Sequence, residues 1–286
     1  MQFADSDIPP YVLVTPPADP VPLLCDSPHS GSIYPQGFCI DLPFQVLQSA
    51  EDAWVDELWS GAVAAGATLL AANAPRTYID VNRDLDDIDP ACLAEPWPGT
   101  LNPTDKSLAG CGLIWTRIRN HPLIQHKLFV ADIQNRIDRF YHPYHQALEQ
   151  QLAAMVEQFG VAWHLNVHSM PSDTGQVMGL GQGVTLADVV LSDRDGTTCD
   201  PTFIGITLDF LKARGYSVAC NHPFKGMTLI RQFGQPARNR HSLQIEVNRA
   251  LYMNEATGER SPGFDRLQHD LSGLALHLAQ FARSLL

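Results

Sequence analysis

The stretch VAWHLNVHSMPS, residues 161–172, reads as a buried strand that carries His168 near its end and breaks in a Ser/Pro turn. The same pattern occurs earlier in LLCDSPHSGSIYP, residues 23–35, where an apolar run hands over to His29 and turns through Ser30, Gly31 and Pro35. A strand fixes a side chain in place and a loop leaves it accessible, so a histidine at such a junction is placed for chemistry. Read in isolation, His29 is better taken as only capping its strand.

Outward from these two stretches, helical and strand patterns alternate along the chain. After a proline-rich lead-in to about Pro22, residues 21–25 read as a strand and 44–65 as an amphipathic helix. ATLLAAN and RTYIDV read as strands, 91–116 as an irregular excursion rich in Gly, Pro and Cys, and 123–159 as a long helix broken near His142 and Pro143. ADVVLSD, YSVAC and SLQIEV read as further strands, with helices over 202–214 and 262–286. No charged or Ser/Gly linker separates two halves, which points to one α/β domain over 1–286 with its central sheet covered on both faces. In open α/β sheets sites lie at the carboxyl ends of strands, where both His29 and His168 fall.

Composition narrows the function. A net charge of −12 over 286 residues argues against a nucleic-acid groove or an anionic membrane surface, both of which need clustered Lys and Arg. Six scattered cysteines with no CxxC pair read as reduced and structural. The first residues, MQFADSDIPPYV, show no signal-peptide pattern, and no long apolar run follows, so a cytoplasmic enzyme is expected.

Two imidazoles and a carboxylate from distant strand ends make a common zinc site that leaves a position for water. His29 and His168 supply the imidazoles, and Asp52, Asp56 and Glu57 on the expected 44–65 helix are the carboxylate candidates. In APRTYIDVNRDLDD, Arg76, Asn82 and Arg83 crowd together in a chain with 19 basic residues, either to fork onto a carboxylate or to pair with Asp80, Asp84, Asp86 or Asp87. Glu246 faces away from Leu243, Ile245 and Val247 in SLQIEVNRALY, as a general base or as an exposed edge-strand carboxylate. Lys225 and Arg231, around Gly226 and Gly234, suit an anionic substrate group or are ordinary surface charges.

Taken in order, PHSG (28–31), D-x-x-x-D (52–56), R-x-x-x-D-x-N-R (76–83), PYH (143–145), HSMPS (168–172), FKGxxxxRxxGQP (224–236) and LQIEVNRxLYM (243–253) resemble the N-formylglutamate amidohydrolase family. The resemblance covers almost the whole chain and implies a zinc-carboxypeptidase-like αβα fold with a mixed, mostly parallel sheet. It implies hydrolysis of the formyl amide of N-formyl-L-glutamate, a step of histidine degradation, and one Zn2+ per chain, replaceable by another divalent metal. His29, Asp52 and His168 would then be the ligands, Asp52 being preferred to Asp56, with Glu246 as general base. Arg76 would polarise the scissile carbonyl, Asn82 and Arg83 would grip the α-carboxylate, and Lys225 or Arg231 the second carboxylate. In the family the residue two before the second histidine is often Asp; here it is Asn166. Related readings are hydrolysis of another N-acyl amino acid or small peptide, with specificity set by 98–115, and a non-catalytic carboxylate-binding member. The sequence leaves the oligomeric state open.

Overall fold

Strand β4, Ala162–Met170, is buried at all nine positions, and its neighbours explain why. In the computed structural model, which describes residues 2–4, 8–36, 38, 42–177, 179 and 186–286, β4 belongs to a seven-stranded sheet. Its other strands are β1 Tyr11–Val14, β2 Leu23–Ser27, β3 Thr68–Ala72, β5 Val189–Ser192, β6 Val218–Cys220 and β7 Arg240–Asn248, in the spatial order β6-β5-β7-β4-β2-β3-β1. The β4–β2, β4–β7 and β5–β6 pairs are parallel and β5–β7 is antiparallel, so the sheet is mixed and helices flank it in an α/β arrangement. Parallel strands buried on both faces need apolar runs, which Leu23, Leu24 and Cys25 and Val189, Val190 and Leu191 supply before each strand ends in polar residues.

The chain divides into two compact units, each built from three stretches: 1–12, 28–53 and 71–148 in the first, and 13–27, 54–70 and 149–286 in the second. The second contains β2, β4, β5, β6 and β7. On one face of its sheet Trp163 packs against Phe203 and Phe281, with ring centroids 4.7 and 5.2 Å away. These rings come from the helices Pro201–Ala213 and Phe264–Ser284. The first of these starts where Asp200 accepts the Thr202 N–H at 2.7 Å and Pro201 takes the first turn, the usual N-terminal chemistry. The second buries Leu267, Leu271, Leu274 and Leu278 at helical spacing.

The first unit has its own core of Tyr34, Leu47, Ala50, Trp115, Ile118 and Leu123. It holds the short strand pairs Gln2–Ala4 with Ile33–Pro35 and Arg117–Ile118 with His121–Pro122. Its helix Val130–Arg136 passes into a π-helical turn, Ile137–Tyr141, just before the expected break at Pro143. Among the described residues Cys25, Cys92, Cys111, Cys199 and Cys220 are free thiols, the last exposed; Cys39 lies outside the described residues.

Four expectations are corrected. The helix expected over 44–65 is three short pieces, Phe44–Gln48, Val55–Leu58 and Gly61–Ala64; Trp54, with a left-handed φ of 68° that no helix passes through, divides the first from the second. Asp52 consequently sits in a loop, its N–H donating to the His29 carbonyl at 2.9 Å, and shares no helix face with Asp56. RTYIDV is a run of turns: Tyr78 N–H bonds back to Pro75 O at 2.9 Å, and the Asp80 side chain captures the Asn82 N–H at 3.0 Å. The proline-rich lead-in contains β1, and the helix expected from 123 begins at Val130.

The glycine of PHSG has a steric reason. A Cβ on Gly31 would lie 2.2 Å from Ala74 O and 2.8 Å from Asn73 C, both backbone atoms that have no side chain to move aside. Gly31→Ala is therefore expected to destabilise by about 1–3 kcal/mol, as overpacked sites do, and a denaturant titration at neutral pH checks it. An unchanged midpoint would show that the 73–74 backbone yields.

Candidate active site

In the first unit a single fully buried carboxylate, Asp80, gathers the polar side chains. His29 Nε2 donates to its Oδ1 at 2.7 Å. Arg76 donates to its Oδ2 through Nε and Nη2, at 3.2 and 3.0 Å, and Trp115 Nε1 joins them at 3.2 Å. The Arg83 Nη2 stands 3.8 Å away. Burial alone would raise the Asp80 carboxyl, but Arg83, His29 and Arg76 outweigh it and hold it well below the usual carboxylate range. Since an ionised carboxylate only accepts, His29 Nε2 must carry the proton, and Nδ1 turns to Asp52, whose Oδ2 is 3.5 Å distant. Arg76 Nη1 lies 3.7 Å from the other Asp52 oxygen, and its guanidinium stacks 4.9 Å above the Trp115 ring. Arg83 is buried and also donates to Cys111 O at 2.9 Å and to Asn82 O at 3.0 Å.

Helix residues brace this segment from behind. The Tyr141 hydroxyl donates to Arg83 O at 2.9 Å, and His145 Nε2 meets Val81 O at 2.7 Å. The two rings stack with centroids 4.0 Å apart.

In the second unit the polar candidates share one face of the sheet. Register places Glu246 directly beside His168, Gln244 beside Asn166, and Ser242 beside His164. Successive polar positions on β4 and β7 therefore form two adjacent columns. Glu246, half-buried, receives the Gln244 amide N–H at 3.0 Å, and His168 Nε2 meets Asn166 Oδ1 at 2.8 Å. Lys225 and Arg231 are exposed; Lys225 pairs with Asp195 at 2.8 Å, and Arg231 rides on the helix Thr228–Phe233. Asp56 is half-buried on Val55–Leu58, and burial raises its carboxyl.

Four buried residues escaped the sequence reading as parts of a site. The sequence offers Asp80 only as a partner for arginine and singles out none of His164, Asp26 and Arg249. The period-2 alternation of His164, Asn166 and His168 carried the signal for the first of these three, and a lone carboxylate in LLCDS for the second. Arg249, whose Nε donates to Ser169 Oγ at 3.1 Å, follows β7 in a short turn with nothing local to mark it as buried.

Residues 21–253 match the family model described as N-formylglutamate amidohydrolase. This chain belongs to that family. A solved N-formylglutamate amidohydrolase from Ralstonia eutropha is 47% identical, with a TM-score of 0.94 over 97% of this chain and 99% of its own. An N-formylglutamate deformylase of Pseudomonas putida is 28% identical over 82% of this chain and 83% of its own length. The Agrobacterium tumefaciens gene product Atu2144, at 17% identity, 96% and 94% coverage and a TM-score of 0.67, shares the fold. As a member of the N-formylglutamate amidohydrolase family the chain is a hydrolase, and no helix among its described residues is long and apolar enough to cross a membrane.

Removing the Asp80 charge would take a shared carboxylate from the buried Arg83 guanidinium and the part-buried Arg76 one. Asp80→Asn is expected to cost about 3–5 kcal/mol at neutral pH by denaturant unfolding, the range for breaking a buried ion pair. The sign with pH follows from the lowered carboxyl: its contribution is complete above an unfolded value of about 4 and is lost as pH falls toward the lower folded one. Stability of the parent should therefore drop between about pH 5 and pH 2 more steeply than that of Asp80→Asn. Parallel slopes would remove Asp80 as the anchor.

Proposed function

We propose that the chain hydrolyses the N-formyl amide of N-formyl-L-glutamate to formate and L-glutamate, with one zinc ion held by His29, Asp52 and His168. The observation that supports this most is the near full-length likeness to an N-formylglutamate amidohydrolase at 47% identity. The donor set fits a divalent ion. All three residues are buried, and both imidazoles commit Nε2 to an oxygen, Asp80 Oδ1 or Asn166 Oδ1, which turns the basic Nδ1 toward a ligand position. Two neutral imidazoles and one carboxylate suit zinc with a coordination position left open, and manganese or cobalt can substitute.

A divalent ion bound there supplies Lewis acidity and brings the pKa of a water toward neutrality. Glu246 takes the proton of the attacking water as oxygen adds to the formyl carbon. It then delivers that proton to the departing amine as the C–N bond breaks. Arg76 donates to the oxyanion, where one well-placed donor is worth about 3 kcal/mol of the barrier. Its planar fork is already oriented by Asp80 and Trp115, so little reorganisation accompanies the reaction. Asn82 and Arg83 grip the substrate α-carboxylate, and Lys225 or Arg231 the second carboxylate, on a chain whose net charge is otherwise negative.

Elemental analysis and formate release before and after chelation test the reading: about one zinc per chain and chelator-sensitive turnover are expected. His168→Ala should lose metal and turnover together. Glu246→Gln should keep metal and slow turnover by about 10²–10⁴-fold. A metal-loaded protein that releases no formate from N-formyl-L-glutamate refutes the proposal, and retained turnover in Glu246→Gln removes the base. Arg83→Ala should chiefly raise KM, and an unchanged KM would count against the carboxylate grip.

A further inference from the structure

The sheet face that carries His168 and Glu246 continues inward, past the Asn166 amide that accepts from His168, into polar groups that the proposed reaction does not use. Asp26, His164, Asn166 and Ser242 are all fully buried. Asp26 Oδ1 stands 2.7 Å from His164 Nε2 and 2.8 Å from Asn166 Nδ2, while Asn166 Oδ1 faces His168 Nε2 at 2.8 Å and His164 Nδ1 meets Ser242 Oγ at 2.9 Å. Registers Asp26↔Asn166 and Ser242↔His164 put these side chains on one face, so the contacts are built into the strand pairing.

The donors in this chain run one way. A carboxylate oxygen accepts only, so Asn166 must turn its NH2 to Asp26 and its carbonyl to His168, because a flipped amide would press two acceptors together at 2.8 Å. The carbonyl in turn requires the proton of His168 on Nε2, which leaves the lone pair on Nδ1. Without Asp26 the amide could rotate by half a turn, present its NH2 to His168 and favour the opposite tautomer. We infer that Asp26 is a positioning residue that acts through Asn166 to fix the tautomer and ring orientation of His168. The inference deepens the proposed function and rests on His168 being a ligand there; a carboxylate at the far end of such a chain also raises the basicity of the ligating nitrogen. His164 and Ser242 hold Asp26 in turn, His164 donating through Nε2 and accepting the Ser242 hydroxyl on Nδ1.

The test reads the imidazole directly. Long-range proton–nitrogen NMR of metal-free protein labelled at histidine, above neutral pH, should find His168 protonated on Nε2. Asp26→Ala should give a mixture of tautomers and lower zinc affinity about 10–100-fold in competition with a chromophoric chelator. Asp26→Asn, whose amide oxygen can accept both donors, should restore the tautomer and most of the affinity. A merely structural role would lower the Tm of Asp26→Ala and leave tautomer and zinc affinity alone, which overturns the inference. So does an Nδ1-protonated His168 in the parent protein, an outcome that needs no variant to fold. If the parent carries the expected tautomer and Asp26→Ala loses it, the positioning role stands even where zinc binding or formate release is missing, and that absence refutes the proposed activity instead.

Discussion

Strand register is the constraint on which the second unit's chemistry depends. Side chains alternate strictly along a strand, so the pairing of Ala162–Met170 with Leu23–Ser27 and Arg240–Asn248 decides at once which residues meet. In the observed register Trp163, Leu165 and Val167 take the face packed by aromatic rings from two helices, while His164, Asn166 and His168 take the other with Asp26, Gln244 and Glu246. A slip of one residue would bury the imidazoles among Phe203 and Phe281 and expel the Trp163 indole from its packing. The apolar face thus selects the register, and the polar face inherits its geometry.

The first unit solves a similar problem without a sheet. There the polar side chains come from loops, and a buried carboxylate takes the place of a strand ladder: Asp80 binds His29, Arg76 and Trp115 through its side-chain oxygens and the Asn82 N–H as well. Taking such a group out of water is expensive, and only the surrounding cations and N–H donors make it tolerable. Both units orient a histidine through the same nitrogen, by a carboxylate for His29 and by an amide backed by a carboxylate for His168. The amide carries no charge, so the second unit seats its histidine with one buried anion where an acidic residue at 166 would require two.

Strands and helices whose order is dictated locally were legible in the sequence. Val189–Ser192, Val218–Cys220 and Arg240–Asn248 announce themselves by apolar patterning, and Pro201–Ala213 by an Asp-Pro start. The motifs around His29, His168 and Glu246 were legible too, because strand ends, glycines and turns bracket them. What could not be read was set by distant partners. Nothing local says that residues 49–54 leave the helix to meet the His29 carbonyl, and the β-branched and aromatic residues of RTYIDV advertise a strand that Pro75 and Asp80 override. Likewise a carboxylate in LLCDS gains meaning only when β2 is laid beside β4, since His164 and Asn166 are 138 and 140 residues away in sequence.

The π-helical turn Ile137–Tyr141 represents, in effect, one residue more than an α-helix of the same rise would need. A wide turn takes up one extra residue locally, so the helical segments on either side of it keep the facing they would have without it. Tyr141 and His145, one α-helical turn apart, reach the carbonyls of Arg83 and Val81 from a common side. Deleting a single residue between 137 and 141 relaxes the turn to regular α-helix with the following residues still in phase, whereas the same deletion within the α-helical stretch His142–Phe159 turns everything beyond it by roughly 100°. Chain length is therefore a phase setting in the α-helical stretch, and the wide turn is where a change of one residue is absorbed.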